Sequence, residues 1–148
     1  MRVVIQRVNK ANLYISNSLY SSINIGLLVL IGFESNDNQI DIEKITKKII
    51  KMRIFSDSEN KMNLSIQDIQ GELLIVSQFT LYADCKKGNR PSFTKSAKVI
   101  EAQKIYNEFV NYISNHYKHI KTGEFRADMD IELINNGPVT IQLDSKLL

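Results

Sequence analysis

The sequence predicts a single domain of the α/β or α+β class, mostly strands, with two helices covering one face of a sheet. Three observations lead there. Short apolar runs, Ile25–Phe33 and Leu73–Phe79, have the length and composition of buried strands. Two stretches, from Asp37 and from Val99, instead repeat apolar residues at three- and four-residue steps, as amphipathic helices do. Beyond Gly123, apolar and polar residues alternate with period two. At 148 residues and 17.0 kDa the chain has one domain's length, enough to bury about 70% of the surface its unfolded form exposes.

Taken in order, Val3–Val8 and Ala11–Ile15 read as two strands joined by Asn9-Lys10, and Ile25–Phe33 as a strand buried on both faces. Ile42, Ile45, Ile49 and Met52 mark one face of a helix of about four turns. Asp41 and Glu43 fall early in it and lysines late, as the helix dipole prefers. Arg53-Ile54-Phe55 offers a short strand, and Ser56-Asp57-Ser58-Glu59-Asn60 a surface turn. Leu73–Phe79 is a central strand, and a loop with Gly88 and Pro91 follows it. Val99, Ala102, Tyr106, Phe109, Ile113 and Tyr117 then define the second helix. Phe125, Ala127, Met129, Ile131 and Leu133 alternate with Arg126, Asp128, Asp130 and Glu132, a half-buried strand. Val139, Ile141 and Leu143 alternate again, so Asn135-Asn136-Gly137-Pro138 reads as the turn of a hairpin.

Composition bounds the function. Apolar residues are 43% and charged residues 24%, which excludes a disordered or fibrous chain. The longest apolar run, Ile25–Phe33, is about half what a bilayer crossing needs. Arg2, Gln6 and Arg7 stand where a secretory signal would be apolar, so a cytoplasmic protein is expected. One cysteine, Cys85, excludes an internal disulfide, and with His116 and His119 there are too few soft ligands for structural zinc. Nineteen Lys and Arg against sixteen Asp and Glu leave only +3, but the cations cluster. Lys44, Lys47, Lys48, Lys51 and Arg53 form one group, and Lys86, Lys87, Arg90, Lys95 and Lys98 another. Either group can meet phosphates or simply face water.

A hydrolase usually pairs a nucleophile with a histidine base, and this chain offers poor material. His116 and His119 lie in a polar stretch ending the second helix, where imidazoles cap carbonyls or face water. Cys85 has no histidine pattern nearby. Phosphate-binding glycine loops, HExxH and GxSxG are absent. Two polar segments remain. Ser77-Gln78-Phe79-Thr80 ends a buried strand with hydrogen-bonding side chains, which either satisfy neighbouring backbone or face a ligand. Asn136-Gly137-Pro138-Val139-Thr140 holds one of two prolines and, alone, reads as a trans-proline at a hairpin corner.

Together these segments carry more. Ser77-Gln78-Phe79-Thr80-Leu81, Lys87-Gly88-Asn89-Arg90-Pro91-Ser92-Phe93, Ala127-Asp128-Met129 and Asn135-Asn136-Gly137-Pro138-Val139-Thr140 resemble, in order and spacing, the D-aminoacyl-tRNA deacylase family. Met1–Val8 and Lys61-Met62-Asn63-Leu64-Ser65 are similar to it too, so the resemblance spans 1–148 as one domain. Two positions depart from it: Arg126, where the family usually has glycine, and Asn136, where it usually has aspartate.

The resemblance implies a mixed, barrel-like sheet with two main helices in a homodimer. It also implies a cytoplasmic esterase without metal or cofactor, acting on the acceptor end of tRNA and away from membranes. The expected reaction removes D-amino acids, and glycine, from the 3′ end of tRNA. An ester on a ribose is already activated, so orientation, a positioned water and an oxyanion site suffice without a histidine base. The Gly137–Pro138 bond is expected to be cis and to enter the partner's pocket, where its carbonyls hold the substrate's α-ammonium. Handedness then sends a D side chain outward and an L side chain into the wall, and glycine passes. On the same footing Ser77, Gln78, Phe79 and Thr80 are the expected catalytic segment, with main-chain N–H groups as oxyanion donors and Thr80 not a nucleophile. Gly137, Pro138, Val139 and Thr140 carry chiral selection, Arg7 braces their turn and Met129 packs against it, while Lys86, Lys87 and Arg90 meet acceptor-stem phosphates. Competing readings are a deacylase for another mischarged tRNA, such as L-alanyl-tRNA, a non-catalytic tRNA-binding module, and a plain dimeric scaffold.

Overall fold

The computed structural model describes residues 1–148. Its backbone is the long strand β1 (Arg2–Ile15), flanked in sequence by β2 (Ser18–Ile23) and β3 (Gly26–Gly32). Helix α1 (Gln39–Lys51) leads to a small ribbon of β4 (Phe55–Ser56) and β5 (Met62–Leu64), and then to the one-turn helix α2 (Ile66–Ile69). Strand β6 (Glu72–Ser77) runs into a 3₁₀ turn, Phe79–Tyr82, and a loop that ends at helix α3 (Val99–His116). Strands β7 (Ile120–Thr122) and β8 (Asp130–Asp144) complete the chain.

One edge of β1 pairs with β3 over Arg2–Val8 and with β2 over Ala11–Ile15, and the other edge pairs with β8 along almost its whole length, all antiparallel. From β3 the sheet continues in parallel to β6 and β7. Because one strand serves three neighbours, the sheet curls into a nearly closed, barrel-like shape. The expected class, a mixed barrel-like sheet with two main helices, is what forms, and α2 adds a third, short helix.

Alternation across β3 and β6 divides the core. Leu27, Val29, Ile31, Leu73 and Ile75 face the helices and meet Ile42, Ile45 and Ile49 of α1 and Ala102, Tyr106, Phe109 and Ile113 of α3. Leu28, Leu74 and Val76 point the other way and pack with Val8, Ala11, Leu13 and Ile23. Helix α1 starts where Asn38 closes a capping box with Asp41, which accepts from the Asn38 N–H at 3.1 Å, and it ends with Lys48 and Lys51 in its last turn.

Three expectations about strands are corrected. Asn9-Lys10 does not separate two strands: β1 runs through it, and the exposed pair lies where the register against β8 shifts. Asn135-Asn136-Gly137-Pro138 is not a hairpin turn. Residues on both sides of it pair with β1, Asn135 with Val8 and Thr140 with Gln6, so the segment is a wide bulge inside β8. The last strand begins at Asp130 rather than Phe125, because Arg126 has φ +68° and breaks the extended chain.

Candidate active site

A cavity of about 650 Å³ opens at the C-terminal ends of β3 and β6. In parallel sheets this edge is where ligands bind, because the connections diverge there. Its floor is Ile31, Gly32 and Phe33 from β3, with Val76 and Ser77 from β6. The Gln78 N–H still donates to the Ile31 carbonyl at 2.7 Å, the last bond along the β3–β6 pairing, after which the chain winds into the 3₁₀ turn. That turn has a chemical consequence: the N–H groups of Phe79 and Thr80 begin it and find no acceptor in the chain.

Phe79 is 56% exposed and packs edge-on against Phe93, with ring centroids 5.0 Å apart. Phe93 belongs to the loop before α3. That loop is tied across its base by the reciprocal Asp84–Ser92 backbone bonds, at 2.7 and 2.9 Å, and pinned to the end of β3 by the Ala97 N–H donating to the Phe33 carbonyl at 2.9 Å. Ser96, Ala97 and Lys98 are thereby held on the cavity wall. The opposite wall is the turn after β7, Phe125 to Met129. Tyr106 of α3 stacks near Phe125 at 5.7 Å and donates to the Ile75 carbonyl at 3.1 Å; burial raises its hydroxyl pKa to about 12.

Of the residues singled out from sequence, Ser77, Gln78, Phe79 and Met129 line this cavity. Thr80 does not; it is exposed, and its Oγ1 accepts from the Gln78 side-chain amide. Gly137 and Pro138 lie outside this cavity, exposed at the tip of the β8 bulge, and their peptide bond is cis. Val139 is buried in the helix-side core, and Thr140 Oγ1 accepts from Gln6 and Asn135. Arg7, only 8% exposed, donates through Nε to the Asn136 carbonyl at 3.3 Å and through Nη1 to the Ile54 carbonyl at 2.6 Å. Asn136 in turn donates to Asn9 Oδ1 at 2.8 Å, joining the bulges of β8 and β1. Lys86, Lys87 and Arg90 are exposed on the loop that supplies Phe93.

Sequence reasoning missed Phe93, Lys98 and Phe125 as cavity residues, whereas Arg126, set apart as a departure that bears on access near the substrate, is on the cavity wall. Lys98 stood in a recognised basic cluster, but its place at the cavity depends on the Phe33–Ala97 bond between distant segments. His116 and His119 are elsewhere: His116 Nδ1 contacts the Tyr112 carbonyl at 2.8 Å at the end of α3. Cys85 is exposed. No three His, Cys, Asp or Glu side chains gather as a metal-holding group, and no helix is long and apolar enough to cross a membrane.

With this geometry in view, the comparisons are direct. The family model described as D-Tyr-tRNA(Tyr) deacylase matches residues 4–144. The chain belongs to the D-Tyr-tRNA(Tyr) deacylase family. Its similarity to the D-aminoacyl-tRNA deacylase of Thermosipho africanus (strain TCF52B) is 53% identity over 99% of this chain and 98% of the relative. To the D-aminoacyl-tRNA deacylase of Thermosipho melanesiensis it is 50%, with the same coverage. Among solved structures, one described as a c-Myc DNA unwinding element binding protein superposes with a TM-score of 0.93 at 37% identity, covering 97% of this chain and 98% of that one. A probable eukaryotic D-amino acid tRNA deacylase shares the fold, with a TM-score of 0.82 at 18% identity over 96% of this chain and 97% of that one. The matched residues include both the β6 end and the β8 bulge.

Proposed function

We propose that this chain is a D-aminoacyl-tRNA deacylase, a hydrolase that cleaves the ester between a D-amino acid, or glycine, and the 3′ end of tRNA. Membership of the family and the names of its relatives support the activity. The observation that carries the mechanism is the pair of unpartnered N–H groups, Phe79 and Thr80, that begin the 3₁₀ turn where Ser77, Gln78 and Phe79 line the cavity. Main-chain N–H donors left free beside the cavity can stabilise the oxyanion that forms when water attacks an ester, and such a site does not have to rearrange during the reaction. Gln78 N–H is already engaged by Ile31 and takes no part. The attacking water is oriented by the ribose hydroxyl next to the ester, so Thr80 is not a nucleophile.

Selection of handedness belongs to the Gly137–Pro138 bulge. It is exposed and absent from its own protomer's cavity, so it acts on the cavity of a second copy, and the working unit is a homodimer. Main-chain carbonyls of Gly137 and Pro138 hold the substrate's ammonium. With ammonium and ester both fixed, an L side chain meets the wall and a D side chain faces outward, while glycine has nothing to exclude. Arg7 holds the bulge from beneath, Val139 anchors it in the core, Thr140 closes its end and Met129 lines the receiving cavity. Lys86, Lys87 and Arg90 meet acceptor-stem phosphates, and the enzyme works in the cytoplasm.

The test is release of amino acid from D-tyrosyl-, L-tyrosyl-, glycyl- and L-alanyl-tRNA, with solution mass measured alongside. Release from the D-tyrosyl and glycyl esters only, by a dimer, is expected. Preference for L-alanyl-tRNA would assign a different error to the site, and binding without release would leave a tRNA-binding module.

A further inference from the structure

Three charged residues line the cavity: the cations Lys98 and Arg126 and the anion Asp128. Neither cation enters any salt bridge or side-chain hydrogen bond in the protomer, Asp128 included. Arg126 also stands at φ +68°, one of five non-glycine residues at positive φ. Three of the others, Ser16, Asn17 and Asn60, are short polar residues in turns, where asparagine above all tolerates this backbone, and Gln70 ends α2. Arg126 is neither a turn asparagine nor a helix cap, and its side chain lies on the cavity wall. Costly backbone kept at the wall of a binding cavity points to a function for the side chain it carries.

The chemistry of that function follows from the neighbouring charges. Between β6 and α3 lie Lys86, Lys87, Arg90, Lys95 and Lys98, none of them paired with an acid, and the end of this segment supplies Phe93, Ser96 and Lys98 to the cavity. Unpaired cations therefore run from the loop to the cavity wall. A nucleic-acid strand presents phosphates in succession and can engage such a run, whereas a single carboxylate engages one member. An arginine fork also matches the oxygens of a phosphate in a paired, directional way.

We propose that Arg126, with Lys98, grips a backbone phosphate of the last nucleotides before the ester, and so acts as a positioning residue that seats the acceptor end in the cavity. The inference rests on the deacylase reading for its substrate, but its first test does not need catalysis. Binding of uncharged tRNA is measured against salt for the unsubstituted protein, R126G and R126K. Glycine is at home at this φ, so R126G is free to fold. The slope of log affinity against log salt should fall by about 0.7 in R126G, the value of one contact to a single strand, and R126K should recover it. An unchanged slope in R126G would overturn the assignment. In turnover, R126G should raise KM more for D-tyrosyl-tRNA than for a phosphate-free D-tyrosyl-adenosine. A loss confined to D-aspartyl-tRNA, with the slope intact, would give Arg126 to the amino-acid side chain instead and equally overturn it. If the unsubstituted protein hydrolyses no ester, the deacylase reading falls while the binding slopes still decide on Arg126.

Discussion

Nη2 of Arg7 lies so close to Gly137 that a methyl group built on the glycine would sit 2.8 Å from it. The same guanidinium holds the Asn136 carbonyl just before the glycine, so the bulge and the cation beneath it fit each other without slack. Gly137→Ala meets two obstacles, this contact and a φ of +117° that L residues rarely adopt. The expected cost is about 1–3 kcal/mol of stability, with a lowered ratio of D- to L-tyrosyl-tRNA hydrolysis because the bulge shifts. Thermal unfolding and paired turnover assays check this. A variant with unchanged Tm and unchanged ratio would show that the fit is not required.

Arg7→Met tests the other side of the pair. It removes the donor to the Ile54 carbonyl, which is buried, and to Asn136. Each buried carbonyl left unpaired costs about 1–3 kcal/mol, so denaturant unfolding should show a loss of at least that size. If the loss is absent while the chiral ratio still falls, Arg7 acts on the bulge alone.

How far the sequence foretold these features depends on whether a signal is local. The helices were legible because Ile42, Ile45 and Ile49, and Ala102, Tyr106, Phe109 and Ile113, must share a face wherever the helix packs, and all are buried. Strand β2, Ser18–Ile23, was not, since its first residues are exposed and show no clean alternation. Asn-Asn-Gly-Pro suits a hairpin turn and a bulge equally, and only the pairing of both flanks with β1 decides between them. At the site, Ser77–Phe79 stood out as the polar end of a buried strand. Arg126 stood out only against the glycine usual at its position, and Lys98 reaches the same cavity through a bond between distant segments, which no local pattern carries.

Thr80 should be dispensable for the chemistry. Its hydroxyl accepts from Gln78, lies off the cavity wall, and has no histidine near to activate it. Thr80→Ala keeps the main-chain N–H and should lower kcat by less than about 10²-fold, the lower limit of what a general acid or base supplies. Loss of a true nucleophile costs on the order of 10⁶, so single-turnover rates separate the two cleanly.

Arg126→Gly should make the protein more stable. A left-handed non-glycine residue costs roughly 1–2 kcal/mol, and the extra freedom glycine gives the unfolded chain takes back about 0.4–1 kcal/mol. The net gain is roughly 0–1.6 kcal/mol, visible as a raised Tm. A fall in Tm would mean the guanidinium holds the fold together, which is incompatible with a side chain kept free for a phosphate.

Stability should fall in acid through the cluster that joins the two ends of the chain. The Met1 ammonium is fully buried against Asp37 at 2.5 Å and Ser145 Oγ at 2.8 Å, and Lys146 reaches Asp41 at 3.2 Å and Asp37 at 3.6 Å. Burial alone would push the Asp41 carboxyl up, but hydrogen bonds from the Ser145 hydroxyl and the Asn38 N–H, together with the Lys146 ammonium, outweigh it and hold the group below its usual 3.8. The folded chain therefore binds fewer protons here than the unfolded one as pH approaches that range. The contribution is fully present above 3.8 and is lost as pH falls through the lower, folded value. Asp68, held down by the Ser65 hydroxyl and N–H, adds to the trend in the same direction. Asp41→Asn removes one of these groups, so its stability should decline less steeply than that of the unsubstituted protein below about pH 4. Urea unfolding across the acid range measures both slopes, and parallel curves would show that the Asp41 carboxyl is not held low in solution by these contacts.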